Sequence, residues 1–225
     1  MSSISIAIDG PVASGKTTVG RLIAKKLGVL FVDTGLMYRA ITWKALQKGI
    51  PLTDKEALGK LAWDSKLEFQ FNRHKEAHLF LDGEDINDYL QQKEVVEAVS
   101  PVSTVSSVRK ALVSAQREIA SRYSVVMVGR DIGTVVLPDA TCKIFLTASL
   151  EERAFRRYKE LIDKGEPVTL EEIRNMVAYR DSIDSTRLDS PLVKAEDAYL
   201  IDSTNLSIEE VVDLILQIVQ SKEKI

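Results

Sequence analysis

The chain's 225 residues suffice for one α/β domain with insertions, and 45% hydrophobic with 28% charged residues is the balance of a soluble globular protein. A net charge of −3 gives no global affinity for nucleic acid, no apolar run nears membrane-spanning length, and no basic-then-apolar leader opens the chain. Cys142 is the single cysteine, which excludes an internal disulfide framework and suits a reducing cytoplasm.

The first element is an apolar, β-branched strand, Ser5-Ile6-Ala7-Ile8-Asp9. Gly10, Pro11, Val12, Ala13, Ser14, Gly15, Lys16, Thr17 and Thr18 follow, and residues 10–17 fit G-x-x-x-x-G-K-[ST]. Val19, Leu22, Ile23 and Leu27 then recur at helical spacing, so the motif lies between a strand and a helix, as a phosphate loop requires. Backbone N–H groups of such a loop cradle phosphate oxygens at the helix N-terminus. Lys16 would reach the β- and γ-phosphates, and the Thr17 hydroxyl would ligate Mg²⁺. The helix stops at Lys25-Lys26-Leu27-Gly28.

Residues 29–32 form a second strand and deliver Asp33-Thr34-Gly35 to its carboxyl end, where open parallel sheets bind ligands. A helix from Leu36 to about Lys48 carries Tyr38 and Arg39 in its first turn, and spacing leaves Arg39 either a surface charge or a site residue. Residues 52–99 read as an inserted subdomain: a helix over 54–63, then a hairpin of 67–71 with 77–81 about the polar turn Asn72 to Glu76. His74 and His78 lack the third ligand of a metal site, and Asp82-Gly83-Glu84-Asp85 reads as a turn rather than a calcium loop.

One long amphipathic helix is expected over 101–122, with Val105, Val108, Leu112, Ala115 and Ile119 as its apolar stripe and Arg109 off that stripe. Residues 124–128 and 143–147 are buried strands, the first running into Gly129-Arg130-Asp131-Ile132-Gly133-Thr134, and Cys142 reads as an inert, half-buried thiol. Capping boxes at Ser149/Glu152, Thr169/Glu172 and Ser207/Glu210 open three helices, and 198–201 is a fifth strand. Five apolar strands separated mostly by helices imply a doubly wound parallel sheet.

Arginines stand at 39, 130, 153, 157, 180 and 187. Those from 153 to 187 describe either a solvated charged face or a mobile lid closing over phosphates. Phosphoryl transfer needs alignment and charge neutralisation rather than covalent chemistry, and an always-charged bidentate guanidinium suits it. A nucleotide switch would carry N-K-x-D, which this chain lacks. That leaves a small-molecule kinase, with an ATP-binding interaction module as the rival of another class.

The stretches Asp9 to Thr18, Asp33 to Arg39, Val108 to Leu112, Gly129 to Val136, Pro138 to Ala140, Glu151 to Ala154, Arg180 to Arg187 and Asp202 to Thr204 together resemble the bacterial cytidylate kinase family of nucleoside monophosphate kinases. The resemblance implies a P-loop kinase fold, a five-stranded parallel sheet with helices on both faces. Its core would lie at about 1–35, 100–150 and 190–225, with a monophosphate-binding region over 36–99 and a helical lid over 153–187. It implies transfer from ATP, with Mg²⁺, to CMP or dCMP. Thr34, Arg39, Arg130 and Arg187 would hold the CMP phosphate, and Ser100, Arg109 and Asp131 would read cytosine. Arg180 and Asp184 would meet the sugar and help at the transferring phosphate, and Arg153 and Arg157 would lie over ATP. Lys16, Arg130, Arg153, Arg157 and Arg180 are thus the expected catalytic set. The family usually has an acidic residue where this chain has Val128, so an outer contact to Mg²⁺ would fall to Asp131 or water. A cytoplasmic monomer with no nucleic-acid or membrane partner is expected.

Overall fold

The computed structural model describes residues 4–71 and 77–223. From the N-terminus come β1 (Ser5–Asp9), α1 (Lys16–Leu27), β2 (Leu30–Asp33), α2 (Thr34–Gln47) and α3 (Lys55–Trp63). A small antiparallel group follows, β3 (Leu67–Phe71), β4 (Ala77–Leu81) and β5 (Glu84–Asp85), and then α4 (Lys93–Ser103) and α5 (Ser106–Arg122). β6 (Val125–Gly129) leads through a π-helical turn (Ile132–Val136) to β7 (Cys142–Thr147). The chain closes with α6 (Leu150–Asp163), α7 (Leu170–Thr186), β8 (Tyr199–Asp202) and α8 (Ile208–Glu223).

Five strands, β1, β2, β6, β7 and β8, make up the parallel sheet, with helices on both faces, as the strand and helix pattern led us to expect. The chain divides into two compact units, Met1–Val29 with Val125–Ile225, and Leu30–Ser124. In the first unit the strands run β6-β1-β7-β8, with Ile8 opposite Val128 on one side and Ile144 on the other. Every residue of β6 is buried, which is why this strand reads as a continuous apolar run rather than an alternating one. α1 packs on β6 and α8, and α8 packs on β7.

Local chemistry sets the boundaries. α1 ends at Gly28, whose left-handed backbone (φ 67°) turns its N–H onto the carbonyls of Ala24 and Lys25. Thr169 and Glu172 cap α7 reciprocally, and Ser207 and Glu210 do the same ahead of α8. The box expected at α6 is only half made. Ser149 accepts from Glu152 N at 3.2 Å, but the Glu152 carboxylate turns to Arg156 Nε at 2.8 Å because a guanidinium one turn on is the stronger donor.

In the second unit α2 packs on α4 and α3 packs on α5. The single long helix expected over 101–122 is two helices, α4 and α5, separated at Thr104 and Val105. Here Ser103 Oγ donates to Ser100 O at 2.8 Å and Thr104 Oγ1 to Pro101 O at 2.7 Å, so side-chain hydroxyls hold the last carbonyls of α4 and end it. Asp82 (φ 53°) and Gly83 (φ 88°) form the expected turn, but Glu84 and Asp85 go on to pair with β4 as a short strand. β3 and β4 pair antiparallel as expected; the hairpin turn at 72–76, with His74, lies outside the described residues. His78 Nδ1 hydrogen-bonds Asp85 Oδ2 at 3.0 Å. Cys142 is fully rather than half buried, and that burial pushes its thiol up to about 11.

Candidate active site

In the first unit the phosphate loop turns sharply between β1 and α1. A Cβ on Gly10 would stand 2.0 Å from the Leu146 carbonyl oxygen of β7, so glycine alone lets the loop leave the sheet here. Ala13 (φ 57°) and Gly15 (φ 88°) are both left-handed, and such alternation turns successive N–H groups toward one side. Lys16 is buried, its Nζ donating to Pro11 O at 2.8 Å. Ser14 Oγ is buried with no hydrogen-bond partner among the described residues. Val12 packs against the apolar cluster of Leu161, Ile173 and Val177, which joins α6 to α7. Thr17 is half-buried in the first turn of α1 and Thr18 is exposed.

Asp9, at the end of β1, accepts from Ile132 N at 2.8 Å and Gly133 N at 2.7 Å, and so fastens the π-helical turn to the sheet. That turn is defined by bonds five residues apart, Val136 N to Asp131 O and Leu137 N to Ile132 O. Burial pushes the Asp9 carboxyl up to about 6; the two N–H donors and Lys16 pull it down, and the charge of Asp131 adds to the rise.

The acidic and basic residues of the 129–131 and 180–187 stretches converge. Asp184 is 2% exposed, with Arg130 Nε at 2.7 Å, Arg180 Nε at 3.8 Å and Arg187 NH1 at 3.9 Å. Burial alone would raise its carboxyl, but these three guanidiniums outweigh that and hold it below the usual carboxylate range. Arg187 NH2 lies 3.6 Å from Asp131 Oδ1, and Arg187 Nε donates to Ser190 O at 2.7 Å. The preceding Val128 is fully buried.

The other arginines behave differently. Arg153 is buried: Nε donates to Ala148 O at 2.9 Å, and NH1 to Asp181 Oδ2 at 2.7 Å and Val12 O at 3.2 Å. Arg157 pairs with Glu160 on its own helix at 2.7 Å. Sequence reasoning passed over Arg156, whose NH2 and NH1 donate to Ser203 O and Ser203 Oγ at 2.7 and 3.1 Å. It stands 3.9 Å from where a Gly15 Cβ would be. The i, i+4 pairing with Glu152 was the signal available for it.

In the second unit Thr34 is buried in the first turn of α2, and Asp33 caps that helix by accepting from Gly35 N at 2.9 Å. Arg39 NH1 donates to Gln91 Oε1 at 2.9 Å and to Leu90 O at 3.4 Å. Arg109, expected off the apolar face of its helix, is 2% exposed on it. Its guanidinium lies over the Tyr38 ring at 5.5 Å and donates to Ser103 O at 3.2 Å, and this ring face and carbonyl make the burial of a cation tolerable. Ser100 is half-buried on α4, its carbonyl accepting from Ser103 Oγ.

Thr17 offers a hard hydroxyl oxygen beside Lys16, which fits Mg²⁺, an ion held by few protein oxygens together with substrate phosphates. Asp9 fits it less well, because both of its oxygens already accept backbone N–H groups.

The family model described as Cytidylate kinase matches residues 6–221. A cytidylate kinase from Geobacillus sp. (strain WCH70) is 50% identical over 221 residues, covering 98% of each chain. One from Ligilactobacillus salivarius (strain UCC118) is 48% identical over 222 residues, covering 99% of each. Among solved structures, an uncharacterized protein from Eubacterium ventriosum ATCC 27560 matches with a TM-score of 0.54 at 15% identity, over 97% of this chain and 99% of that one, a likeness of fold.

Proposed function

The chain belongs to the cytidylate kinase family, and we propose that it transfers the γ-phosphoryl group of ATP to CMP or dCMP, giving ADP and CDP or dCDP. The observation that carries the reading is the convergence of Arg130, Arg180 and Arg187 on a buried carboxylate in the unit that also holds the phosphate loop. Such a concentration of guanidiniums, in a chain of net charge −3, suits the handling of a phosphate anion.

In this reading the N–H groups of residues 10–18 and Lys16 hold the ATP phosphates. Lys16, Arg130, Arg157 and Arg180 neutralise charge that spreads over the moving phosphoryl group, and Arg153 completes the ATP site. Thr34, Arg39, Arg130 and Arg187 hold the acceptor phosphate, which attacks as an anion and needs no general base. Arg180 and Asp184 meet the sugar. Ser100, Arg109 and Asp131 answer cytosine's N4 donor and its N3 and O2 acceptors. Uracil reverses that pattern at N3 and the 4-position and would leave buried groups unpaired. Thr17 would hold Mg²⁺, which supplies neutralisation of the β- and γ-phosphates when bound. The helical segment 153–187 serves as the lid, and the enzyme works as a cytoplasmic monomer without nucleic-acid or membrane partners.

An acceptor panel tests this. ADP formation from ATP, followed by a coupled assay, should be fast with CMP or dCMP, slower with UMP and AMP, and absent without acceptor. EDTA should abolish it and added Mg²⁺ restore it. Turnover of UMP equal to or above that of CMP would overturn the base assignment, and ADP formation independent of CMP would leave only an ATP-binding module.

A further inference from the structure

We propose that Asp181 is a positioning residue for the ATP site, acting through Arg153 on the backbone of the phosphate loop. The inference rests on the proposed function only in naming ATP as that loop's ligand.

Arg153 ties three segments together. Its Nε holds Ala148 O at the start of α6, while NH1 is shared between Val12 O in the phosphate loop and Asp181 Oδ2 on α7. With Nε and NH1 engaged by these partners, Arg153 acts on the loop through the Val12 carbonyl. The direction of its pull matters. In a trans peptide the carbonyl and the following N–H point to opposite sides. Drawing Val12 O toward Arg153 therefore aims the Ala13 N–H at the opposite face of the loop. Ala13 has the left-handed backbone that continues this turn. An N–H aimed in this way is what binds a phosphate oxygen.

Two further observations support the assignment. The Val12 side chain sits against Leu161, Ile173 and Val177, so α6 and α7 fix this residue by both its side chain and its carbonyl. The second Asp181 oxygen, Oδ1, is buried with no hydrogen-bond partner among the described residues, so the charge-assisted bond to Arg153 compensates the burial of this carboxylate. Removing the charge at 181 frees NH1 to turn and lets the Val12–Ala13 peptide relax.

The test uses the full chain as wild type, Asp181→Asn, Arg153→Lys and the double variant. ATP affinity is read by calorimetry without CMP, and KM for both substrates by the coupled assay. Asp181→Asn, of nearly equal volume, should weaken ATP binding about tenfold, the scale of one hydrogen bond to a charged group. KM for ATP should rise in parallel while KM for CMP stays within about twofold, and Asp181→Glu should recover most of the loss. Added to Arg153→Lys, which lacks the rigid fork, Asp181→Asn should change ATP affinity by less than about twofold. Unchanged ATP affinity in Asp181→Asn, an equal rise in KM for CMP, or effects that multiply in the double variant would overturn the proposal. If Asp181→Asn does not fold by circular dichroism, Asp181→Ser takes its place in the same ATP-against-CMP split, and unchanged ATP affinity in that variant overturns the proposal. A wild type that binds ATP but does not phosphorylate CMP would sink the acceptor assignment and leave this test standing; one that binds no ATP would sink both.

Discussion

At the scale of single residues, Lys16 and Asp9 show two uses of a buried charge. Lys16 Nζ rests on Pro11 O within the loop that would hold ATP, and the proposed function requires its charge where phosphoryl charge would develop. Lys16→Ala should lower kcat to under about a tenth of wild type, with folding intact by circular dichroism; a variant above that level would show that the ammonium does not follow the moving group. Asp9 holds architecture instead, and pH reveals it. Its carboxyl titrates at about 6 rather than the ordinary 3.8, so the folded chain retains a proton that the unfolded chain has released between those values. The contribution of Asp9 to stability is therefore complete below about pH 4 and lost as pH rises past about 6, a change of about 3 kcal/mol. Asp9→Asn lacks this titration. The stability of wild type minus that of the variant, from urea unfolding, should shrink between pH 4.5 and pH 7, and a flat or growing difference would contradict the assignment. The difference is the right quantity because Asp184, held low by its arginines, contributes in the opposite sense, losing stability as pH falls through its depressed pKa.

Between elements, the contact of α3 with α5 depends on the smallest side chain. A Cβ on Gly59 would lie 2.1 Å from Ser107 Oγ and 2.6 Å from Ser107 Cβ. The hydroxyl can rotate away, but the Cβ is part of its helix and cannot. Helix propensity favours alanine over glycine by about 1 kcal/mol, and overpacking costs about 1–3 kcal/mol, so the clash decides the sign. Gly59→Ala should lower the urea midpoint, and Ser107→Gly in the same chain should restore part of it, since only the Ser107 Cα would then remain, at 3.9 Å. Full stability in the single variant would mean that the helices part without cost. The same scale shows where sequence reading stops. α1, with its glycine stop, and α7, with its reciprocal cap, were legible because their signals lie within a few residues of the boundary. The break between α4 and α5 was not, because hydrophobic spacing runs on through it and only the hydroxyl bonds at Ser103 and Thr104 end the first helix.

Over the whole molecule, the five strands and their parallel sheet followed from apolar runs bounded by turns and separated by helices, a signal that averages over many residues, whereas their order within the sheet did not. The fate of individual charges did not. Arg109 lies over the Tyr38 ring and Arg156 on the Ser203 carbonyl through contacts distant in the sequence. Position along the chain suggested which arginines matter; only the folded arrangement distinguishes those that gather on Asp184 from Arg153, which braces a backbone carbonyl, and Arg157, which salt-bridges its own helix. The acceptor panel is the measurement at this scale, because it reads the turnover of the full chain.

The near-contact between Gly10 and the Leu146 carbonyl has an evolutionary consequence. The opening glycine of the motif is demanded by the neighbouring strand, whatever the loop binds. In a descendant that had lost catalysis, drift would erase Lys16 while Gly10 persisted, held by steric necessity alone. A glycine at this position therefore certifies the scaffold, and the lysine six residues later is the mark of a working enzyme.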